Sequence, residues 1–286
     1  MSPSTTAAAK SGQPYVLGTD SDESFRLGLQ HRLWSNASFS LWLRAGVQPG
    51  MRVLDLGCGP GHATLDLAQI VGPTGRVVGV DESAGFLKQL GQEAEARKLS
   101  NIDRVLGDAQ HLDHCLPSPA TDDYFDIVYV RWVFCFVNSP GEVLKGLRRV
   151  LRPGGKIVVQ DYFNYEQGMT LAPKKEAFTK AIAAVARSWR ARGGNPDVMG
   201  ELPRLAKHHG FEIDHLDVQQ RIGRPNTSMW HWPWTFFNSF LPKLVDMGHL
   251  SREECDAALK ELASISNDET AFVLVPPVFE LIATKS

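Results

Sequence analysis

The sequence predicts an α/β fold: a doubly wound, mostly parallel seven-stranded sheet that carries helical lid insertions. From residue 51 onward, short runs rich in β-branched residues alternate with segments of helical periodicity, which is the pattern of βαβ units. These runs lack strict alternation of apolar and polar residues, as is typical of strands that helices cover on both faces. One run leads directly into a glycine-rich turn, at residues 53–61. Hydrophobic residues at 43% and charged residues at 22% are ordinary globular values, so a disordered chain and a coiled coil are excluded.

The first five predicted strands share short apolar sequences and lie at residues 52–56, 76–80, 103–106, 125–130 and 156–161. Helices are predicted between them at about 61–71, 83–98 and 140–151. The third helix has a clear start, with Ser139 as N-cap, Pro140 at the first helical position and Glu142 able to bond back to the cap. The breaker at residues 152–155 is expected to end it.

After residue 162 the pattern changes to a long helix at about 173–192, followed by a helix near 200–209. Strands near 211–221 and 271–283 are expected to complete a mixed sheet. Between those strands, Ser251 and Glu254 form the signature of a capping box at the start of another helix.

The predicted organisation is a single large domain with two flanking features. Residues 1–13 are expected to be a disordered lead and residues 14–48 an N-terminal helical cap. The domain then covers 49–286, with lid insertions at about 163–200 and 223–270, and 286 residues are enough to bury a real core.

Charge and cysteine usage exclude several kinds of partner. Thirty basic and thirty-two acidic residues give a net charge of −2 without a basic block, which argues against nucleic acid. The longest apolar stretch, at residues 125–137, contains Asp126 and Arg131 and is too short to span a membrane. The four cysteines lie far apart without paired spacing, which argues against disulfides and a zinc site. With no targeting pattern at the N-terminus, we expect a cytoplasmic protein.

The strongest functional signal is the glycine-rich turn, which reads Val53-Leu54-Asp55-Leu56-Gly57-Cys58-Gly59-Pro60-Gly61. Glycines at alternate positions allow backbone amides to approach a ligand closely, and the N-terminus of the next helix favours a negative group. The third glycine stands at residue 61 and His62 follows it, so the spacing differs from the dinucleotide fingerprint G-x-G-x-x-G. A plain connection between strand and helix is the alternative interpretation.

Two further strands are followed by acidic residues. Asp81 follows the second strand, where a carboxylate can accept both hydroxyl protons of a ribose, and Asp108 follows the third within Gly107-Asp108-Ala109. The alternative for Asp81 is a helix-capping role, because Ser83 begins the next helix. Since parallel strands share a carboxyl edge, all three features are expected to meet there.

These residues carry a resemblance to a known family. The run 53–61, Asp81, residues 107–109, the strand at 124–132 and the sequence at 151–156 together resemble the class I S-adenosylmethionine-dependent methyltransferases. They look most like the small-molecule branch related to quinone-biosynthesis methyltransferases. The resemblance implies a Rossmann-like methyltransferase fold, S-adenosyl-L-methionine as cofactor and a small-molecule acceptor, and it leaves the oligomeric state open.

The resemblance also implies a role for each matching residue. Asp55, Gly57 and Gly59 are expected to line the methionine part of the cofactor, with the small side chain of Cys58 packed beneath it and Arg131 beside the methionine end. Asp81 is expected to hold the ribose. The remaining residues of the implied cofactor site are Glu82, Asp108 and Ala109, the last two at the adenine, and Tyr15, which would close over the cofactor from the N-terminal segment.

The acceptor site is less determined by the sequence. Many relatives have an acid or histidines after the fourth strand, where this chain has Phe134-Cys135-Phe136, so an apolar acceptor site is favoured. If a proton must be removed, the candidate bases are Tyr162, His231 and Asp161. Around His231 lies a dense aromatic block in which Trp230, Trp234 and Phe237 recur at helical spacing and could be core or the wall of a lid.

The run 111–115 contains two histidines, an acid and a cysteine, but adjacent side chains make poor joint ligands and no metal is expected. Two alternatives to a small-molecule methyltransferase stay open. One is a nucleoside-binding module that has the fold but no transferase activity. The other is a methyltransferase that acts on protein or RNA, which the balanced charge disfavours.

Overall fold

The computed structural model describes residues 21–116 and 124–286, so the predicted disordered lead lies outside the described residues. Within these ranges the chain forms ten strands: β1 (Arg52–Leu56), β2 (Arg76–Asp81), β3 (Ile102–Leu106), β4 (Phe125–Arg131), β5 (Leu151–Tyr162), β6 (Thr170–Ala172), β7 (Phe211–Gln219), β8 (Ile222–Gly223), β9 (Phe272–Leu274) and β10 (Val278–Lys285). The same ranges contain ten α-helices: α1 (Ser21–Ala45), α2 (His62–Val71), α3 (Ala84–Ala96), α4 (Leu112–Cys115), α5 (Pro140–Val150), α6 (Tyr165–Gly168), α7 (Glu176–Ala191), α8 (Leu202–His208), α9 (Ser228–Asp246) and α10 (Arg252–Ser264).

Seven strands form the main sheet in the order β3-β2-β1-β4-β5-β10-β7, which confirms the predicted seven-stranded α/β fold. Strands β1 to β5 pair in parallel, whereas β10 is antiparallel to both β5 and β7. The chain order reverses on either side of β1, whose neighbours are β2 and β4. The crevice beyond the carboxyl ends of β1 and β4 is therefore the expected ligand position of an open sheet.

Both faces of the sheet are covered, as the sequence predicted. On one face, Val53, Val77 and Ile127 pack with α2 and with Leu41 and Trp42 of α1. The opposite face contributes alternate residues of the same strands to a larger core shared with α5, α7, α8 and α9. This two-sided burial explains why the strands lack an alternating pattern.

The long helix α1 falls within the segment predicted as an N-terminal helical cap, and buried polar contacts tie it to the sheet. The Ser38 hydroxyl donates to Gln160 Oε1 at 2.8 Å, and the Tyr129 hydroxyl donates to the same oxygen at 2.7 Å. Gln160 Nε2 in turn donates to Glu280 Oε1 at 2.9 Å. A satisfied buried network of this kind fixes the helix in one position over the carboxyl half of β4 and β5.

Several predicted element boundaries were wrong. β5 begins at Leu151, not after the breaker, and residues 152–155 lie in an irregular stretch between the pairs Phe125–Leu151 and Ile127–Lys156. The side chain of Ser139 makes no capping hydrogen bond; it donates to Asn138, while Glu142 pairs with Lys145. α7 begins three residues after Pro173, at Glu176.

The predicted strand at 271–283 is two strands in two different sheets. β9 joins a small sheet of order β6-β9-β8, and β10 joins the main sheet. Pro276 and Pro277 stand between them, and proline cannot donate to a strand ladder. The predicted capping box at the start of α10 is confirmed, because Ser251 Oγ accepts from Glu254 N and Glu254 accepts from Ser251 N.

None of the helices within residues 21–116 and 124–286 has the length and apolar character needed to cross a membrane.

Candidate functional site

A cavity of about 220 Å³ opens at the carboxyl edge of the sheet, beside β1, β2 and β4. Nine of the residues predicted for the cofactor lie in its wall: Asp55, Gly57, Cys58, Gly59, Asp81, Glu82, Asp108, Ala109 and Arg131. Tyr15 lies outside the described residues. The structure therefore brings together residues that lie far apart in the sequence, from Asp55 in β1 to Arg131 at the end of β4. They meet because the parallel strands all end at the same edge of the sheet.

The glycine-rich turn has the backbone geometry that only glycine adopts freely. Gly57 has φ of +68° and Gly61 has φ of +90°. A Cβ on Gly57 would lie 2.3 Å from Val133 Cγ2, and one on Gly61 would lie 2.3 Å from Leu90 Cδ1. Each glycine is therefore required twice, by backbone conformation and by the close approach of a neighbour.

Asp81 fixes the glycine turn from the neighbouring strand. Its Oδ2 accepts from Gly59 N and its Oδ1 accepts from Ser83 N, both at 2.8 Å. Burial raises the pKa of Asp81, and the two backbone bonds oppose that rise. The helix cap of α3 is Ser83 itself, whose hydroxyl accepts from Phe86 N at 3.2 Å. Asp81 thus organises the turn and leaves its remaining lone pairs on the cavity side.

A second buried carboxylate, Asp55, stands at the centre of the cavity wall. Its Oδ2 accepts from Thr64 Oγ1 at 2.6 Å. Burial raises the pKa of Asp55 to about 6, while Thr64 and Arg131 favour its charged form. Burial also raises the pKa of the Cys58 thiol well above its usual range, so Cys58 is a protonated packing group. Four carboxylates, Asp55, Asp81, Glu82 and Asp108, line the cavity together with one guanidinium, Arg131, and this excess of negative charge suits a cationic ligand.

Asp108 is held differently from Asp55 and Asp81. Partial burial by itself raises its pKa, but bonds from Gln110 N at 2.8 Å and His111 Nδ1 at 2.9 Å outweigh that effect and the pKa falls below its usual value. Asp108 is therefore a charged acceptor at the opposite end of the cavity.

Helix α1, which falls within the predicted N-terminal cap, supplies one wall of this cavity, but none of the residues of this helix was predicted for the site. Leu27 and Gln30 line the cavity. His31 connects the helix to the site, since its Nε2 lies 2.8 Å from Asp66 Oδ2 and its Nδ1 lies 3.1 Å from Arg131 Nη2. Because Arg131 can only donate, Nδ1 is the acceptor and Nε2 carries the proton towards Asp66. The hydrogen bonds that link Arg131 to His31 and His31 to Asp66 hold the guanidinium in place. A bond from Arg131 Nη1 to Ser38 Oγ at 3.2 Å adds to them.

His62, directly after the glycine turn, is a second histidine of this group. Its ring stacks on His31 with centroids 5.6 Å apart, and its Nε2 is buried without a hydrogen-bond partner among the residues that the structure describes. Burial, with smaller effects from His31 and Arg131, lowers the pKa of His62 to about 4. His62 is therefore neutral at pH 7.

This shift predicts a pH dependence of stability. A folded pKa of about 4 lies below the ordinary 6.5, so protonation favours the unfolded chain, and the stabilisation is present above pH 6.5 and is lost as the pH falls towards 4. We expect the unfolding free energy of the wild type to fall by about 3 kcal/mol more than that of His62→Gln between pH 7 and 4. Urea denaturation of the cofactor-free proteins at a series of pH values measures this. His114→Gln, at a side chain 74% exposed, is the matched control, and parallel curves for wild type and His62→Gln would contradict the assignment.

A smaller second cavity of about 50 Å³ adjoins the first and shares Gln30, Trp132 and Phe136 with it. Its wall is strongly aromatic and includes Tyr162, Tyr165, Trp189, Trp232, Phe236 and Phe237. Trp132 stands between the two cavities with φ of +53°, a conformation that is strained for a bulky residue and that clusters at functional sites. The geometry is that of a polar chamber opening into an aromatic one.

The three predicted bases have different positions. Tyr162 lines the aromatic cavity, but burial raises the pKa of its hydroxyl well above the usual range, which opposes a role as a base. Asp161 is fully buried behind the cavities, where it accepts from Cys135 N and Tyr162 N and burial raises its pKa to about 6. His231 is exposed on α9 and lines neither cavity. The structure therefore does not bring the three together.

The aromatic block on α9 divides in the same way. Phe237 lines the aromatic cavity, and its role in a lid stays a prediction. Trp230 is buried in the main core, and Trp234 packs against that core, so neither lines a cavity. The tryptophan that does reach the site is Trp232, two residues away on the opposite side of the helix. Its position on the helix face could not be distinguished because aromatic residues occupy more than one side of the helix in this block.

Among the residues that the structure describes, no group of three or more His, Cys, Asp and Glu side chains is placed to hold a metal ion.

The sequence of this chain is similar to one protein-family model and to several known proteins. A family model described as a methyltransferase domain matches residues 47–213. The ubiquinone/menaquinone biosynthesis C-methyltransferase UbiE of Ectopseudomonas mendocina is 37% identical over 134 residues, which cover 46% of this chain and 48% of that protein. The UbiE protein of Stutzerimonas stutzeri is 33% identical over 156 residues, which cover 54% of each chain. The chain thus spans about half the length of the curated relatives it matches.

Among solved structures, the YcgJ protein of Bacillus subtilis is similar to this chain with a TM-score of 0.57 at 17% sequence identity. The similarity covers 87% of this chain and 98% of that chain. At this identity the likeness supports the fold alone.

Proposed function

Because this chain belongs to the methyltransferase domain family, within the class I S-adenosylmethionine-dependent enzymes related to quinone-biosynthesis methyltransferases, we propose that it methylates a small, flat aromatic acceptor. The single observation that carries the proposal is the junction of two cavities, one polar and acidic and the other aromatic, at the carboxyl edge of β1 and β4. The acceptor atom is expected to lie where the two meet, beside Trp132.

The residues of the larger cavity fit S-adenosyl-L-methionine. Gly57 and Gly59 both have positive φ and line the cavity with bare backbone, and a Cβ on Gly59 would meet no protein atom within 4 Å, which leaves room for close approach of a ligand. Asp81 is placed for the ribose hydroxyls and Asp108 for the adenine amine. At the other end Arg131 offers a guanidinium for a carboxylate, and Asp55 offers negative charge near a cationic sulfur. When bound, the cofactor supplies a methyl group on a positively charged sulfur.

Transfer of that methyl group requires alignment more than acid–base chemistry. An electron pair of the acceptor would form the new bond, the pair of the broken bond would stay on the sulfur, and the acceptor would lose its proton to bulk solvent after the product leaves the cavity. The wall of the aromatic cavity excludes water and holds a flat acceptor by stacking, and both effects favour displacement of a methyl group from a cation. Tyr162, with its raised pKa, would remain protonated and act as a hydrogen-bond partner.

The curated relatives support the finer part of the proposal. Their names describe C-methylation in ubiquinone and menaquinone biosynthesis. The aromatic lining of the second cavity is compatible with a ring of that kind, and none of the described residues that line it is an aspartate or a glutamate. We therefore propose carbon as the acceptor atom and a quinol-like or phenolic ring as the substrate class.

Two measurements test this function. Calorimetric titration with S-adenosylhomocysteine is expected to give one site per chain, and incubation with labelled S-adenosylmethionine and a panel of quinols, phenols and amines is expected to give labelled product with a quinol or phenol. Binding without any product would identify a nucleoside-binding protein of the same fold. Absence of binding would overturn the proposal altogether.

A further inference from the structure

Gln30 is a buried polar residue at the junction of the two cavities. It lies on α1, outside the segment that the family model matches, and its side chain contributes to both cavity walls. Only 8% of its surface is exposed. A buried carboxamide is expected to have hydrogen-bond partners, because burial of a polar group costs free energy unless all its hydrogen bonds are made.

The orientation of the carboxamide follows from its two partners. Gln30 Oε1 accepts from Arg26 Nη1 at 2.9 Å and from Trp232 Nε1 at 2.7 Å. A guanidinium and an indole N–H can only donate, so the atom that faces them must be oxygen. The Nε2 amino group consequently lies on the other side of the carboxamide, directed away from Arg26 and Trp232.

Arg26 makes this orientation rigid. Its Nε and Nη2 donate to both carboxylate oxygens of Glu23 at 2.7 and 2.6 Å, and both side chains are about 96% buried (4% exposed each). A buried bidentate ion pair of this kind has little rotational freedom. Gln30 is therefore held by a charged anchor from its own helix and by an indole from α9.

The amino group itself makes no hydrogen bond with any residue that the structure describes. It is thus an oriented and unpartnered donor, on a residue of which only 8% is exposed, at the boundary of the polar and aromatic cavities. Such a group completes its hydrogen bonding with a ligand that brings an acceptor.

Building on the proposed function, we infer that the Gln30 carboxamide binds an oxygen atom of the methyl acceptor and so selects substrates that carry a ketone, enolate or phenolate oxygen next to the carbon that is methylated. Gln30 Nε2 donates to that oxygen, which orients the ring in the aromatic cavity and stabilises negative charge on the oxygen. An ammonium substrate is disfavoured, because it would meet a donor at the junction and no carboxylate in the aromatic wall.

The test uses a matched pair of ligands that differ only in the oxygen. 1-Tetralone is a fused-ring ketone whose oxygen can accept but not donate, and tetralin is the same ring system without the oxygen. Binding of each to the full-length protein loaded with S-adenosylhomocysteine is measured by quenching of tryptophan fluorescence. We expect wild type to bind 1-tetralone about tenfold more tightly than tetralin, the ratio that corresponds to one net hydrogen bond.

The informative variant is Gln30→Glu. Its carboxylate can still accept from Arg26 and Trp232 but presents an oxygen instead of an amino group to the ligand. We expect it to lose the preference for 1-tetralone while its affinity for tetralin stays within threefold of wild type. Gln30→Met, which removes both polar atoms, is a second variant in case the added charge prevents folding, and Gln48→Glu on an exposed loop is the control for a surface change.

A preference for 1-tetralone that survives in Gln30→Glu and Gln30→Met, or that is missing in wild type, would overturn the inference. Failure of the proposed function has a different signature. In that case the ketone preference and its loss in the variants are still observed, but no acceptor in the panel receives a methyl group.

Discussion

Replacement of Asp81 by alanine is expected to weaken the binding of S-adenosylhomocysteine by about tenfold to a hundredfold, which corresponds to about 1–3 kcal/mol. Two effects act together. The substitution removes the proposed acceptor of the ribose hydroxyls, and it leaves Gly59 N and Ser83 N without the carboxylate oxygens that they now contact at 2.8 Å. The glycine turn then loses the contact that orders it across β1 and β2.

Calorimetric titration of wild type and variant measures the effect. Asp113→Ala is a suitable control, because that side chain is 67% exposed on α4 and lines neither cavity. Urea denaturation of the ligand-free variant separates loss of binding from loss of folding. An affinity equal to wild type would show that Asp81 does not hold the ribose.

The second large effect is expected at Gly61. Gly61→Ala should lower the free energy of unfolding by about 2–5 kcal/mol. A left-handed backbone contributes about 1–2 kcal/mol and overpacking against Leu90 about 1–3 kcal/mol. The core between α2 and α3 has no space for the new methyl group, because a Cβ on residue 61 would lie 2.3 Å from Leu90 Cδ1. Urea or thermal unfolding of the ligand-free protein measures this.

Gly46→Ala is a matched control because Gly46 has φ of +87°, against +90° at Gly61, and a Cβ there meets no atom within 4 Å. We expect it to cost only the backbone part, about 1–2 kcal/mol. The double variant Gly61→Ala with Leu90→Ala should be less destabilised than the sum of the two single variants, since the smaller side chain makes room for the methyl group. The prediction would be contradicted if Gly46→Ala and Gly61→Ala lowered the free energy of unfolding equally. It would also be contradicted if the effects of Gly61→Ala and Leu90→Ala were fully additive, because an alanine at residue 61 would then not press on Leu90.

The cofactor side of the site could be predicted because its residues follow the strands directly along the chain. Asp55, Asp81 and Asp108 each stand at or just after a strand, and parallel strands deliver such residues to one edge without further information. The central strands could be predicted as well, because β1, β2 and β4 are short, mostly apolar runs rich in valine, isoleucine and leucine.

The acceptor side could not be predicted because it is assembled from contacts between distant elements. Gln30 and Trp232 are 202 residues apart in the sequence and meet only because α1 and α9 pack against each other. Nothing local marks either residue, since a glutamine on a helix is ordinary and Trp232 is one aromatic among several. The three-stranded sheet was not predicted for a different reason. β8 spans two residues and β9 three, and such strands are too short for a periodic pattern to be detected.

The position of β10 between β5 and β7 has a consequence for how the chain acquires its structure during synthesis. β7 pairs with β10 in the main sheet, and β10 is made after the whole of α9 and α10. While the ribosome is still adding those helices, the sheet ends at the unpaired edge of β5 and β7 has no partner, and the late arrival of β10 slows folding. The nascent protein therefore passes through an interval in which that edge can associate with other chains, and chaperone dependence is expected to concentrate there.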